Sequence, residues 1–174
     1  MLQLIARDAA HTPGYREYCA EMHDRRVIYF VPTNPARIDG GWFERTKGWY
    51  DQKELGPVGD VPRGFHYWAV VGGAFVGEFQ LRPDLTEQVM TRIGSVGYAV
   101  RPSLQGRGYG TELLRQGLSI AREKGLSRVL LNINAANAAS LHVCEKLGGV
   151  LMDTITGHSS AEGDYPMRRY WIAL

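Results

Sequence analysis

Val96-Gly97-Tyr98-Ala99-Val100-Arg101-Pro102-Ser103-Leu104-Gln105-Gly106-Arg107-Gly108-Tyr109-Gly110-Thr111 is the stretch that decides how this chain folds. Val96 to Val100 is an apolar run of strand length, and Pro102 ends it because proline has no N–H to give a ladder. After Thr111, Leu113, Leu114, Gly117, Leu118 and Ala121 recur at helical spacing. A glycine-rich turn therefore joins a strand to the first turn of a helix. The first N–H groups of a helix have no partner within it, and the helix dipole adds partial positive charge there. Three glycines let the backbone close on an anion, and Arg107 adds a formal charge. The stretch is predicted to be a phosphate cradle made mostly of main chain.

The spacing excludes two common phosphate binders. A dinucleotide fingerprint G-x-G-x-x-G starting at Gly106 meets Thr111 at its third glycine, and a Walker loop requires a lysine that is absent here. What stands is Gln105-x-x-Gly108-x-Gly110.

The 174 residues suffice for one domain with a full core. Twenty basic and 18 acidic residues leave a net charge of +2, so no large basic surface asks for nucleic acid. No apolar run is long enough for a membrane span, and the N-terminal residues lack the pattern of a secretory leader. Cys19 and Cys144 read as free thiols in a reducing cytoplasm, and the five histidines have no metal spacing.

Around the central stretch, Leu2–Ala6 is a candidate first strand. Thr12-Pro13 has the form of a capping hydroxyl followed by a first-turn proline, and Tyr15, Tyr18, Cys19 and Met22 form the buried stripe of the helix that follows. Asp39 is a candidate cap for a second helix, whose Trp42, Phe43, Thr46, Trp49 and Tyr50 either pack on the sheet or line a substrate pocket. Phe65–Val71 and Ala74–Arg82 are strands joined by Gly72-Gly73, a tight hairpin turn. Period-two alternation puts Phe75, Gly77, Phe79 and Leu81 on one face and Val76, Glu78, Gln80 and Arg82 on the other. Three polar side chains on that second face predict an open cleft or a solvated strand. The connection 83–92 has room for a short helical turn after Asp84. A helix over Thr111–Lys124 ends at Gly125 in a left-handed cap, Arg128–Asn134 is the next strand, and Asn137 caps a short helix that ends at Gly148. On that helix Leu141, Cys144 and Leu147 point inward and His142 outward. Val150–Thr156 and Met167–Leu174 close the chain as antiparallel strands linked through 157–164.

The Gln-x-x-Gly-x-Gly turn, with Asn137, Ser140 and Glu145-Lys146-Leu147-Gly148 downstream, resembles the GNAT family of acyl-CoA-dependent N-acetyltransferases. The resemblance runs from about Tyr67 to the C-terminus and is greatest to a clade of uncharacterised predicted acetyltransferases. It implies a GNAT fold: a mixed, mostly antiparallel α/β sheet of about seven strands with about four helices, and a parallel strand pair that splays at the CoA site. It implies acetyl-CoA as cosubstrate and no metal. The pyrophosphate would rest on Gln105, Gly106, Arg107, Gly108, Tyr109, Gly110 and Thr111. Pantetheine would pair with the backbone of Tyr98, Ala99 and Val100 and pass Asn132, Asn137 and Ser140. A backbone N–H of the Tyr98–Val100 strand would stabilise the oxyanion. A deprotonated primary amine, of a small molecule or a peptide, would attack the thioester directly in a ternary complex.

The usual acid and base positions of the family hold other residues here. The tyrosine that protonates the thiolate is replaced by Cys144, which is open to three roles: core filler, general acid or nucleophile. A glutamate five residues before Asn137 is replaced by Asn132, and a glutamate in the strand before the turn falls near Gly94. Glu78 is the remaining candidate base. The aromatic segment 42–50, together with Glu78 and Asp84, hints at a cationic acceptor. A second reading, a non-catalytic acyl-CoA-binding sensor or scaffold, is separated from the enzyme by whether an amine releases free thiol from acetyl-CoA. Homodimerisation and the role of residues 26–64 are left open.

Overall fold

The hairpin between Phe65–Val71 (β2) and Ala74–Leu81 (β3) anchors the sheet. Gly72 and Gly73 turn it with φ of 56° and 81°, values that other residues adopt only with strain. In the computed structural model, which describes residues 1–24, 34–159 and 163–174, Leu2–Ala6 (β1) pairs antiparallel with β2, and Val96–Val100 (β4) pairs antiparallel with β3. The order is β1-β2-β3-β4. Arg128–Asn134 (β5), Val150–Ser159 (β6) and Gly163–Ala173 (β7) form a second sheet in the order β5-β7-β6. The four helices are α1 (Thr12–Asp24), α2 (Trp42–Leu55), α3 (Tyr109–Glu123) and α4 (Ala138–Lys146).

The α3 crossover brings β5 back beside β4 in the parallel sense, as strand–helix–strand connections do. The two strands meet where Ser95 N–H donates to Leu130 O at 2.7 Å. Gly94 makes that approach possible: a Cβ there would stand 2.9 Å from Leu130 O and 3.0 Å from Asn132 N. Beyond Ser95 no β4–β5 ladder forms among the described residues, so the two sheets part along β4.

One core lies under α3 and α4, with Phe79, Leu113, Leu114, Val129, Leu131 and Cys144 among its buried members. Gly117 lets α3 sit directly on the Phe79 ring, 2.1 Å from where its Cβ would be. The other core lies under α1 and α2. There the Tyr15 ring stacks on both Trp42 and Trp68, with centroids 5.1 Å apart in each case.

Strict alternation along β3 fails at one point. Ala69 pairs with Gly77 but Val70 pairs with Phe75, which leaves Val76 as an extra residue, a β-bulge. Phe75 therefore joins Glu78 on the α1/α2 face and packs on Trp68 and Tyr15, while Val76 enters the core with Phe79. Nor is the polar face of β3 open or solvated: α1 and α2 cover it, and Glu78 is 2% exposed. The Thr12 hydroxyl caps nothing and is buried without a partner. Asp39 accepts from Gly41 N–H and Arg45 ahead of α2, whose N-cap, Gly41, has no side-chain bond. The short turn after Asp84 is a single wide turn at Val89–Ile93. Strands β6 and β7 extend well into the segment read as a polar link, of which 160–162 lie outside the described residues.

Candidate active site

The phosphate turn has the form its sequence predicts. Gly106 and Gly108 have φ of 78° and 80°, and nothing lies within 4 Å of where their Cβ atoms would be, so the turn opens on free space. Gly108 is the N-cap of α3 and makes no side-chain cap bond. Glu112 N–H donates to Gly108 O in the first turn of the helix, which leaves the N–H groups of Tyr109, Gly110 and Thr111 directed out of the helix end. Gln105 turns back and donates from Nε2 to Val100 O (3.2 Å), fixing the turn to the end of β4. Arg107 is exposed at the rim. A cradle of free N–H groups that any Cβ would begin to fill suits a pyrophosphate.

The strand that leads into the turn offers its free edge. Arg82 N–H bonds Ser95 O and Arg101 N–H bonds Val76 O, so the odd-numbered residues of β4 address β3. By ladder alternation the N–H groups of Tyr98 and Val100 address the gap on the β5 side, and Ala99 faces β3. Across that gap stands the N-terminus of α4, where Asn137 Oδ1 accepts Ser140 N–H at 3.1 Å and so acts as the predicted cap. The Tyr98 side chain spans the gap, with its hydroxyl 3.1 Å from Ser140 Oγ. Burial pushes the Tyr98 phenol up to about 12.

Cys144 lies one helical turn beyond Ser140, is fully buried, and packs under Gly149. Desolvation pushes its thiol up to about 12. Burial of this kind fits a core filler and opposes a nucleophilic thiolate. Asn132 is half-buried, and its Nδ2 donates to Val89 O and Met90 O at 3.3 Å each, bracing the 83–95 connection against β5. His142 is exposed, as its place on α4 predicts.

Glu78 stands on the other face of the sheet, opposite Ala99 in register. It accepts from Tyr18 Oη at 2.8 Å and from His66 Nε2 at 2.5 Å. Desolvation lowers the His66 pKa, against the pull of Glu78. Burial, with the Glu78 charge second, raises the Tyr18 phenol well above its ordinary value. Tyr50 of α2 lies over the His66 ring, and the Arg7 guanidinium lies over the Tyr50 ring, 3.5 Å from its centroid. Lys53 is buried near this cluster, and desolvation brings its pKa down to about 8. His66 was missed in the sequence because nothing marks it locally. Its signal is the hairpin register, which sets it opposite Gln80 and diagonal to Glu78 on the same face of the sheet. Asp84 lies exposed past the end of β3.

The aromatic segment of α2 is divided between core and surface. Trp42 and Phe43 are buried in the core, while Trp42, Trp49 and Tyr50 also line a cavity of about 600 Å³ with Arg37, Arg45 and Thr46. Among the described residues no group of His, Cys, Asp or Glu could hold a metal ion.

Comparison with known proteins agrees with this geometry. Residues 2–150 match the profile of the acetyltransferase (GNAT) domain. A mycothiol acetyltransferase of Rhodococcus erythropolis is 33% identical over 120 residues, which is 63% of this chain and 36% of that protein. One from Gordonia bronchialis is 28% identical over 169 residues, 93% of this chain and 50% of that protein. The chain thus spans half or less of the length of these two relatives. Among solved structures, a Salmonella typhimurium acetyltransferase that modifies the N-terminal serine of a 50S ribosomal subunit protein superposes with a TM-score of 0.72 at 16% identity, over 99% of this chain and 95% of that one. A microcin C7 self-immunity acetyltransferase, solved with acetyl-CoA and AMP, has a TM-score of 0.72 at 12% identity, over 99% and 92%. At such identities these two structures show the fold alone. With the family profile covering most of its length and the phosphate turn, parted strands and capped α4 in place, the chain belongs to the acetyltransferase (GNAT) domain family, whose cosubstrate is acetyl-CoA.

Proposed function

We propose that this protein transfers the acetyl group of acetyl-CoA to a primary amine of a small molecule or peptide, by direct attack in a ternary complex. The observation that carries this reading is the placement of β4. Its free edge faces the gap between the sheets, the N–H cradle of α3 lies at its end, and the Glu78 cluster lies on the opposite face of the sheet. The acyl arm then lies along a strand whose β3 neighbour carries the carboxylate that would take the amine's proton, and holding the reactants together supplies most of the acceleration.

In this reading the N–H groups from Gln105 through Thr111 hold the pyrophosphate, with Arg107 at the rim. The free N–H groups of Tyr98 and Val100 orient the acyl arm and stabilise the oxyanion. Asn137 and Ser140 border the arm on the α4 side. Glu78 takes the proton that the amine must lose, and Tyr18 and His66 act as positioning residues for its carboxylate. Neither cysteine is in a disulfide and both are fully buried, which speaks against an acyl-enzyme and fits a reducing compartment such as the cytoplasm. No helix among the described residues is long and apolar enough to cross a membrane.

The test is free-thiol release from acetyl-CoA across a panel of amines, with initial rates at varied concentrations of both substrates. Intersecting lines and no acetyl adduct by intact mass are expected. Parallel lines with a stoichiometric adduct chased off by amine would replace direct attack by a ping-pong route, and no thiol release with any amine would favour the sensor.

A further inference from the structure

When the bond between the acetyl carbon and sulfur breaks, its electron pair stays on sulfur, and something in the gap between β4 and α4 must meet that charge. Three side chains there carry a dissociable hydrogen: Tyr98, Ser140 and Cys144. Cys144 is fully buried, wedged beneath Gly149. Ser140 sits in the first turn of α4, and its hydroxyl already lies 3.1 Å from the Tyr98 hydroxyl. Tyr98 is the residue that projects from β4 across the gap. Its ring also approaches the phosphate turn, 3.9 Å from where a Gly110 Cβ would be, so both ends of the acyl arm's path border it.

A hydroxyl can donate one hydrogen bond while accepting another. Ser140 can therefore donate to Tyr98 Oη and leave the phenolic hydrogen free for a second partner. We propose that the Tyr98 phenol, held by Ser140, donates a hydrogen bond to the sulfur of coenzyme A and so lets it depart as the thiolate. This rests on the acetyl-transfer reading above. The amine nitrogen forms its bond to the carbonyl carbon and gives its proton on the Glu78 side. The sulfur takes the electron pair of the broken bond, and the phenol keeps its proton. Full transfer is uphill, because desolvation raises the buried phenol to about 12 against the lowering pull of the Ser140 hydrogen bond, whereas a simple thiol titrates near about 8.5. The same elevation keeps the phenol a donor throughout the neutral range.

The experiment needs no acceptor. Free coenzyme A and desulfo-coenzyme A, which lacks the sulfur, are bound to the intact protein and to the Tyr98→Phe and Ser140→Ala variants. Thiolate absorbance is titrated in each coenzyme A complex, and both affinities are measured by calorimetry. In the wild type the bound thiol should ionise about tenfold more readily than in Tyr98→Phe, the scale of one hydrogen bond to a charged group, with Ser140→Ala between them. Desulfo-coenzyme A should bind wild type and Tyr98→Phe within about twofold of each other, since the phenyl ring and its packing remain. An identical thiol titration in wild type and Tyr98→Phe would overturn the proposal. So would an equal loss of affinity for both ligands, which would make Tyr98 a packing residue. A silent amine panel with the thiol shift intact would remove the amine acceptor and leave this role standing. Failure of the wild type to bind coenzyme A would remove both.

Discussion

Gly108 allows backbone strain and ligand binding to be separated cleanly. Its φ is 80°, it caps α3, and no atom lies within 4 Å of where a Cβ would sit. Gly108→Ala therefore adds no clash with the protein. It adds the cost of holding alanine in the left-handed region, about 1–2 kcal/mol. It also puts a methyl group on the open side of the cradle, where the pyrophosphate is expected. Losing or bending one charge-assisted N–H bond there costs about 1.5–3 kcal/mol, or roughly ten- to a hundredfold in Kd. Gly125 supplies a matched control. Its φ is 82°, its Cβ position is equally free, and it ends α3 at the far terminus. Urea titration should show similar stability losses for Gly108→Ala and Gly125→Ala. Calorimetry with acetyl-CoA should show weakened binding for Gly108→Ala only. Wild-type affinity in Gly108→Ala, or an equal loss in Gly125→Ala, would refute the cradle.

Glu78→Gln should lower kcat/KM by about 10²-fold or more while acetyl-CoA affinity holds, measured by steady-state rates and calorimetry; unchanged kinetics would leave Glu78 a structural partner of Tyr18 and His66. Lys53, at 5% exposure and with its pKa lowered from 10.5 to about 8 by desolvation, is charged at pH 7 in both folded and unfolded chains and penalises the fold. Lys53→Met should add about 1–3 kcal/mol at pH 7. Because the unfolded chain binds the extra proton between pH 8 and 10.5, wild-type stability recovers over that window and the advantage should fade, as urea midpoints at pH 7 and above 10 would show. Gly117→Ala should destabilise by about 1–3 kcal/mol despite better helix propensity, since its Cβ would meet three ring atoms of Phe79 within 2.6 Å; a Phe79→Leu background should relieve part of the loss. Cys144→Ala should reduce kcat by no more than about tenfold and lower stability through the cavity it leaves, and the native thiol, raised to about 12, should resist disulfide reagents at pH 8 until the protein is unfolded.

The parts of the fold that were legible in the sequence are those set by local chemistry. Strand β4, the glycine turn, the stripe of α3, the Gly72-Gly73 hairpin, the Asn137 cap and the Gly125 stop each announce themselves within a few residues. The form of the candidate cofactor turn could be read because it is backbone held by those signals. Features that depend on how strands register were not legible. The bulge at Val76 reverses the facing of Phe75, and alternation alone cannot show an extra residue. The polar face of β3 looked open because Glu78 was read without its partners, which come from α1 and β2, 60 and 12 residues away in the chain. The spacing of Asn132 from Asn137 marks the place of a family base, but it cannot show that the Asn132 amide hydrogens meet the carbonyls of Val89 and Met90, 43 and 42 residues distant.

The parting of the sheets after the Ser95–Leu130 bond also bears on what else the protein can be mistaken for. A bare strand edge normally invites a second β-strand and, with it, aggregation. Here the edge is sunk between two sheets and crossed by the Tyr98 side chain. An incoming strand carries side chains on both faces and would be turned away by α3 and α4 on one side and by the α1/α2 layer on the other. A thin chain with amides and almost no branches could still thread it. If coenzyme A binds as proposed, the gap acts as a filter on the cross-section of its visitors, one that would admit a pantetheine-like arm and shield an otherwise adhesive edge from other proteins.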